Sequence, residues 1–466
     1  MQQSLKSEGY FSNEISHPLR FGEGLEKRRW FVLLTVCLVY TTSAIGYLTF
    51  NATSDLSMQY FQRTEESDIL YFTDVNMYAN LLLGFFGCWV AYKYFKLSVI
   101  STAFFTSLAA WIRYFVGPNY LITLLCQTLI GIASITISSF ANIVPDRWFP
   151  TQERFTVNTL TIFSNSVGWA LGVLIPCIIV GNDVKKMQDN ILFQAVLITV
   201  PFILAVVCMR EKPKVPPSYS ALVKEDDKGF VTETKILLKS SHFIGATLCF
   251  GMVLGLANSI PTTNSIYMNP LNLSNLSQGF ITLAYVVTGL IAGLFGAIHI
   301  EKKGIKTCDF ILKILFTITF LSLLALGVVF IFLKDPNMML ILVCNGILGI
   351  GLVGFVPFAC ASIIESNFPI QEAISTIGMN IAACLFSVGA SHLSIAGFVG
   401  KGGFLVLAGL MLPCWIYMMF FYKTNFKRQD ADEKHKEIGA SSGLFNEEIK
   451  EIGSAIEDSE TPYVKG

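Results

Sequence analysis

Residues Trp148–Arg154 read WFPTQER, and Asn367–Ala373 read NFPIQEA. Each stretch lies between two long apolar runs, so Phe-Pro-x-Gln-Glu occurs once in each half of a chain of 466 residues. The motif has a local physical reason. Proline is tolerated in the first turn of a helix, where its missing N–H is no loss. A glutamate three residues on, Glu153 or Glu372, meets the positive end of the helix dipole. Phe149 and Phe368 are placed to anchor at a membrane surface. A polar hinge of this kind used twice points to a duplicated unit.

The composition agrees. Apolar residues make up 53% of the chain and charged residues 14%, against roughly a quarter charged in soluble domains. Windows of about 20 residues predict twelve spans: 31–50, 70–91, 97–115, 119–143, 156–181 and 191–209, then 243–267, 279–300, 307–333, 338–363, 373–397 and 403–422. Hydrocarbon offers no water to backbone groups, so spans of this length must be helices. The run Phe31–Phe50 is too long for a signal-peptide core and reads as an uncleaved first span.

The net charge is zero, but its distribution is informative. Lys and Arg cluster in the segment before span one and in the loops after spans two, four, six and eight, and they recur at the start of the tail. The other side holds Arg63, Arg113, Lys185, Lys186, Lys334 and Lys401. This bias places both termini in the cytosol. None of the eleven cysteines lies in an outer loop, so no disulfide framework is implied. Segment 1–30 is polar. Segment 210–242, with KPKVPPS and KEDDKG, reads as a cytosolic linker. The tail 423–466 has the composition of a disordered segment.

Two six-helix bundles remain, 31–209 and 243–422. A second short repeat, Ser166-Val167-Gly168 and Ser387-Val388-Gly389, follows the hinge in each. The expected fold is therefore an all-α membrane protein of twelve transmembrane helices in two parallel, pseudo-symmetric halves around a midplane site, the sign of a major-facilitator transporter. Gly168 and Gly172, the run Gly289, Gly293 and Gly296, and the glycines of Gly346–Pro357 offer close helix contacts. The hinge also reads as part of a gate. Glu153 would pair with Lys93 or Lys96, and Glu372 with Lys302 or Lys303, with Arg154 and Glu301 beside them.

The stretches RRWFVLLTVCLVY, AAWIRY, LLCQTLIG, WFPTQER, FSNSVG and MREKPKVPPS resemble the feline leukaemia virus subgroup C receptor-related group (solute carrier family 49) of the major facilitator superfamily, over roughly residues 28–425. The resemblance implies transport of haem, of choline and ethanolamine, or of pyridoxine. Its choline-handling members use an aromatic cavity, the right chemistry for a quaternary ammonium. Here the span-one tryptophan position is Tyr47. The glutamine positions are Ser166 and Cys384, and the span-seven tyrosine falls near Asn258. Gln127, Asn165 and Asn380 are the matching polar neighbours that remain. Where the superfamily expects an aspartate after span two, this chain has Tyr92, whereas the second-half loop IEKKGIK keeps Glu301.

Polar residues inside spans are costly and functional by default, or else tie helices together. Tyr47, Gln127, Asn165, Ser166, Asn258, Asn264, Asn345 and Asn380 form the candidate substrate site. Asp74 is read as a solvated helix end near the outer surface. His299 and His392 are isolated and give no metal spacing, and no nucleophile–base set occurs. Neither catalytic residues nor a cofactor or metal are therefore expected. Asn51, Asn272 and Asn275 head glycosylation sequons, and YSAL, Tyr219–Leu222, resembles a sorting signal. The expected function is alternating-access, facilitative transport of a small amine-bearing or vitamin-like solute. A haem carrier or a non-transporting receptor or sensor is the alternative. Expected partners are the small-molecule substrate and the lipid bilayer, with no nucleic acid, in a protein that works as a monomer at the plasma or endolysosomal membrane.

Overall fold

A computed structural model of the chain describes residues 26–150, 153–213, 230–268, 271, 273–333, 337–368, 370–395 and 402–430. Among these, twelve helical segments are long and apolar enough to cross a membrane, in the places the hydropathy windows predict. Span one is α1 (Arg28–Leu48), which continues through a short 3-10 turn at Asn51–Thr53 into α2 (Ser54–Phe61). Spans two and three are α3 (Glu66–Lys93) and α4 (Phe95–Val116). Span four is broken into α5 (Tyr120–Ser134) and α6 (Ile137–Trp148). Spans five and six are α7 (Arg154–Ile179) and α8 (Met187–Cys208). A short helix, α9 (Phe230–Leu238), precedes the second half: α10 (Ser241–Met268), α11 (Asn275–Lys303), α12 (Cys308–Phe332), α13 (Met338–Asn367), α14 (Glu372–Ile395) and α15 (Gly403–Phe420). Twelve crossings return the chain to its starting side. We call the face holding Glu26 and Asp430 the near face and the opposite one the far face.

Small residues decide how the helices meet. A Cβ on Gly168 would lie 2.5 Å from the Thr41 carbonyl oxygen, so α7 rides directly on α1. In the second half the same seam has its glycines on the other partner: Gly251 and Gly255 of α10 meet Ala382 and Ala383 of α14. Gly289 of α11 and Gly349 of α13 form a third seam, in which a Cβ on Gly349 would sit 1.9 Å from the Tyr285 carbonyl oxygen. Backbones approach this closely only where no side chain intervenes. The halves touch mainly where α3 meets α14 and α7 meets α11.

The hinge is tied in differently from the expectation. Phe149 is fully buried and does not anchor at the surface. Its ring lies edge-on to Trp30 with centroids 5.2 Å apart, and its carbonyl accepts from Arg154 Nε at 3.3 Å. The linker reading needs a correction too. Within it α9 docks on the bundle, with Glu233 accepting the Gln371 N–H at 3.2 Å and Leu237 packed beside Phe243 and Ile374. Its stretch 214–229, including YSAL, lies outside the described residues. The start of the tail is a strap: Asp309 accepts from the Thr424 N–H at 3.0 Å, and Ser366 from the Asn425 N–H at 3.1 Å. The expected disorder of 431–466 concerns residues that are not described. Two sequons are unsuited to glycosylation: Asn51 is buried and donates to Thr73, and Asn275 donates to the Gly181 carbonyl. Asn272 is not described.

Overpacking a seam costs about 1–3 kcal/mol or more. Gly349→Val is therefore expected to lower the melting temperature of the detergent-purified protein sharply. Gly409→Ala, with nothing within 4 Å of its added Cβ, should leave it unchanged.

Candidate functional site

Residues on one face of a helix recur three, four or seven positions apart. Tyr40, Ser43 and Tyr47 of α1 follow that spacing, as do Asn76 and Asn80 of α3, Asn165 and Trp169 of α7, and Asn380 and Cys384 of α14. All of them line one cavity of about 150 Å³ between the halves. Ser134 of α5, Ser138 and Asn142 of α6, Asn258 of α10 and Cys360 of α13 complete its polar wall. Among the described lining residues none carries a formal charge.

Part of this wall is already satisfied. Asn80 Nδ2 donates to Asn76 Oδ1 at 3.0 Å, and Asn142 Nδ2 to Thr376 Oγ1 at 2.8 Å. Asn158 Nδ2 donates to Asn142 Oδ1 at 3.1 Å, and Asn380 Nδ2 to the Thr376 carbonyl at 3.2 Å. Other groups are left over: the buried hydroxyls of Ser43, Tyr47 and Ser138 have no partner among the described residues. Buried polar groups without partners are rare, and here they face a hollow.

Contacts between the halves lie toward both ends of the cavity. On the near side Asn142 and Thr376 join α6 to α14, and Cys88 of α3 packs on Ala373 and Ile377. On the far side the Asp74 carboxylate of α3 pairs with His392 Nε2 of α14 at 3.0 Å. Asp74 is therefore not a solvated helix end. It is 2% exposed, whereas its partner is 39% exposed.

The residues 32–391 match the model of the Major Facilitator Superfamily. The chain belongs to the Major Facilitator Superfamily. Within it, the similarity runs to the FLVCR and solute carrier 49 group. The chain is 23% identical to the choline/ethanolamine transporter FLVCR2 of Rattus norvegicus over 78% of this chain and 68% of that protein. It is 26% identical to solute carrier family 49 member A3 of Xenopus tropicalis over 75% of this chain and 74% of that protein. It is 23% identical to the choline/ethanolamine transporter FLVCR1 of Felis catus over 94% of this chain and 79% of that protein. This facilitator is a multi-pass membrane transporter and not an enzyme.

Of the eight residues expected at its site, Tyr47, Asn165, Asn258 and Asn380 line the cavity, and four do not. Asn264 Nδ2 donates across to Thr282 of α11 at 3.2 Å, and Asn345 Nδ2 to the Ile341 carbonyl of its own helix at 3.1 Å. Their Nδ2 groups tie helix to helix or turn to turn, while their Oδ1 atoms are buried without a partner among the described residues. Ser166 is buried a third of a helical turn away from Asn165, and Gln127 is buried in α5. Tyr40, Asn76, Asn80, Asn142 and Trp169 are cavity residues that the reading by resemblance missed. Their stripe spacing was the available signal.

The expected gate pairs do not form. Glu153 pairs with Arg29 at 3.2 Å and Glu372 with Arg428 at 2.5 Å, each an arginine from one terminal segment. Arg154 pairs with Asp146 at 3.7 Å. Lys93 instead lies 5.3 Å from the Trp89 and Tyr94 ring centres, Lys302 is exposed at the end of α11, and the side chain of Glu301 is outside the description. The planar guanidinium forks are better carboxylate partners than a lysine. The acid missing at Tyr92 is supplied from elsewhere. Glu211, past α8, accepts the N–H groups of Phe95 and Lys96 at 2.9 Å and pairs with Arg147 at 3.2 Å. Arg147 also donates to the Tyr92 carbonyl.

Gln127 buries an amide whose two polar atoms have no protein partner, a burden of about 1–3 kcal/mol. Gln127→Leu is expected to raise the melting temperature and leave transport intact. Lost transport at unchanged stability would put Gln127 in the binding site.

Proposed function

We propose that this transporter carries a small hydroxylated amine of the choline and ethanolamine class by alternating access. The observation that carries this reading is the cavity itself: about 150 Å³, uncharged among its described lining, and walled by three aromatic rings and six asparagines. Drug-sized sites run to roughly 300–1,000 Å³, so the space suits a small solute and not a tetrapyrrole. Tyr40, Tyr47 and Trp169 offer ring faces to a cation. Asn165 and Asn258 make no side-chain hydrogen bond within the protein among the described residues and are available to a hydroxyl or amine. The relatives FLVCR1 and FLVCR2 are choline/ethanolamine transporters, which supports the same class. The tryptophan that the resemblance places in span one is replaced by Tyr47, and the cavity has a tryptophan on α7 instead.

Both halves are taken to rock about this site, so that the contacts on the near and far faces break in turn. The charge bias supports a cytosolic near face. Arg113, counted on the other side, is a buried residue of α4 and not a loop charge, which sharpens the asymmetry.

Labelled choline and ethanolamine uptake in a host lacking its own carriers is the direct test. Trp169→Ala should remove a cation–aromatic contact of about 2 kcal/mol, roughly a 30-fold rise in KM, with Trp169→Phe in between. Binding without flux would instead support a sensor, and saturable flux of haem alone would overturn the assignment. Epitope tags at both termini should react with antibody only after the cell is permeabilised.

A further inference from the structure

The Asp74–His392 pair joins the halves at the far face, and nothing in the proposed substrate chemistry uses it. Asp74 belongs to α3 and His392 to α14, two helices that meet across the halves. Asn76 and Asn80, further along α3, line the cavity, so the pair sits just beyond its far end. The carboxylate is buried while the imidazole reaches solvent, and the Tyr71 ring lies 6.2 Å from that of His392.

The other titratable side chains toward this end of the cavity are mainly tyrosines. From α3 come Tyr71 and Tyr78, and from α1 Tyr47. Tyr120 of α5 donates to the Asp68 carbonyl at 3.0 Å. Tyr267 of α10 reaches the same end but lies against Phe404 of α15, with ring centres 4.5 Å apart. Arg63, Glu65, Glu66 and Asp68 stand further out, before and at the start of α3. Arg63 itself sits over the Tyr120 ring at 4.1 Å. Histidine is the side chain whose ordinary charge change falls between about pH 5 and 8.

We propose that Asp74 and His392 are a proton-dependent latch on the far face, which keeps the cavity shut from that side while His392 is protonated. The bond is an ion pair only with a protonated imidazole. Once that proton leaves, a buried carboxylate faces a neutral ring. An uncompensated charge in the interior is costly. Opening the far face returns the carboxylate to water and removes the cost. Alkaline solution on the far side therefore favours opening toward it, and acid favours closure. The substrate does not touch the pair, so pH sets access to the cavity and not affinity within it. The inference rests on the alternating-access reading.

Cys384 tests both separately, because it lines the cavity and is buried in this structure. The full-length protein in sided proteoliposomes is treated with a membrane-impermeant methanethiosulfonate from each face, and Cys384 modification is followed by mass spectrometry. From the far face, Asp74→Asn and His392→Gln are expected to react at least about 5-fold faster than the unaltered protein at about pH 6, the lower end of typical coupling factors. The unaltered protein should approach the variants' rate at about pH 8. His392→Lys, which keeps a positive charge, should stay slow at both. Equal far-face rates in all four proteins, with no pH dependence, would overturn the latch while leaving transport standing. A Cys384 that reacts from neither face under any condition would overturn alternating access itself. Uptake that stops when the proton gradient is collapsed at constant pH on both sides would make the pair a coupling site and not a latch.

Discussion

Hydrocarbon has no hydrogen bonds to offer, and that constraint governs the whole molecule. Every crossing must satisfy its own backbone, so every crossing is a helix. Lipid tails are as apolar as the helix surfaces, so burial does little to bring helices together. What remains is close packing, and it is settled by where side chains are missing. Gly168 on Thr41, Gly349 on Tyr285 and Gly255 on Ala383 are contacts between backbones. They make each half rigid. No comparable glycine-on-backbone seam joins α3 to α14, where Gly84 meets the flexible side chains of Ile377 and Ile381. Across α7 and α11 Gly293 meets the Phe163 ring. The surfaces between the halves are therefore side chain on side chain, the kind of contact that can part.

The same scarcity of partners sorts the polar residues. Asn264 and Asn345 each spend the amide N–H on a protein group in or next to their own helix. Asn165 and Asn258 face the hollow with their amides unspent. Residue type is the same in the two pairs; position along the helix and direction around it differ. The proposed substrate, with its hydroxyl and amine, offers the second pair a partner that the protein does not.

The repeat and the twelve spans were legible because both depend on local patterns: apolar runs of membrane length and a helix-starting motif used twice. Partners were not. Glu153 looked toward Lys93, its neighbour in a generic facilitator loop, yet it meets Arg29, and Glu372 meets Arg428. Each hinge glutamate thus holds one end of the polypeptide against its own half, which answers why the motif recurs. Asp74 looked like a helix end because hydropathy reports depth and not neighbours, and His392 is brought to it only by the fold. Trp169 was passed over because the resemblance directed attention to the span-one position of Tyr47. Spacing along α7 would have placed it beside Asn165.

Arg113 shows that an intramembrane charge can also be structural. It is buried in α4 without a carboxylate partner among its described contacts. Its Nη1 donates to the Gly46 carbonyl at 3.0 Å and toward Thr49 Oγ1 at 3.4 Å. Those acceptors lie at the C-terminal end of α1, where the helix dipole is negative and favours a cation. Thr49 in turn donates to Gln194 of α8 at 2.6 Å. The arginine therefore holds the end of α1 through main-chain oxygen, and Tyr47 lies between the two residues it grips. A charge that costs several kcal/mol to bury unpaired is retained where it stops α1 from sliding. The aromatic wall that α1 contributes to the cavity is thereby tied to α4 and α8.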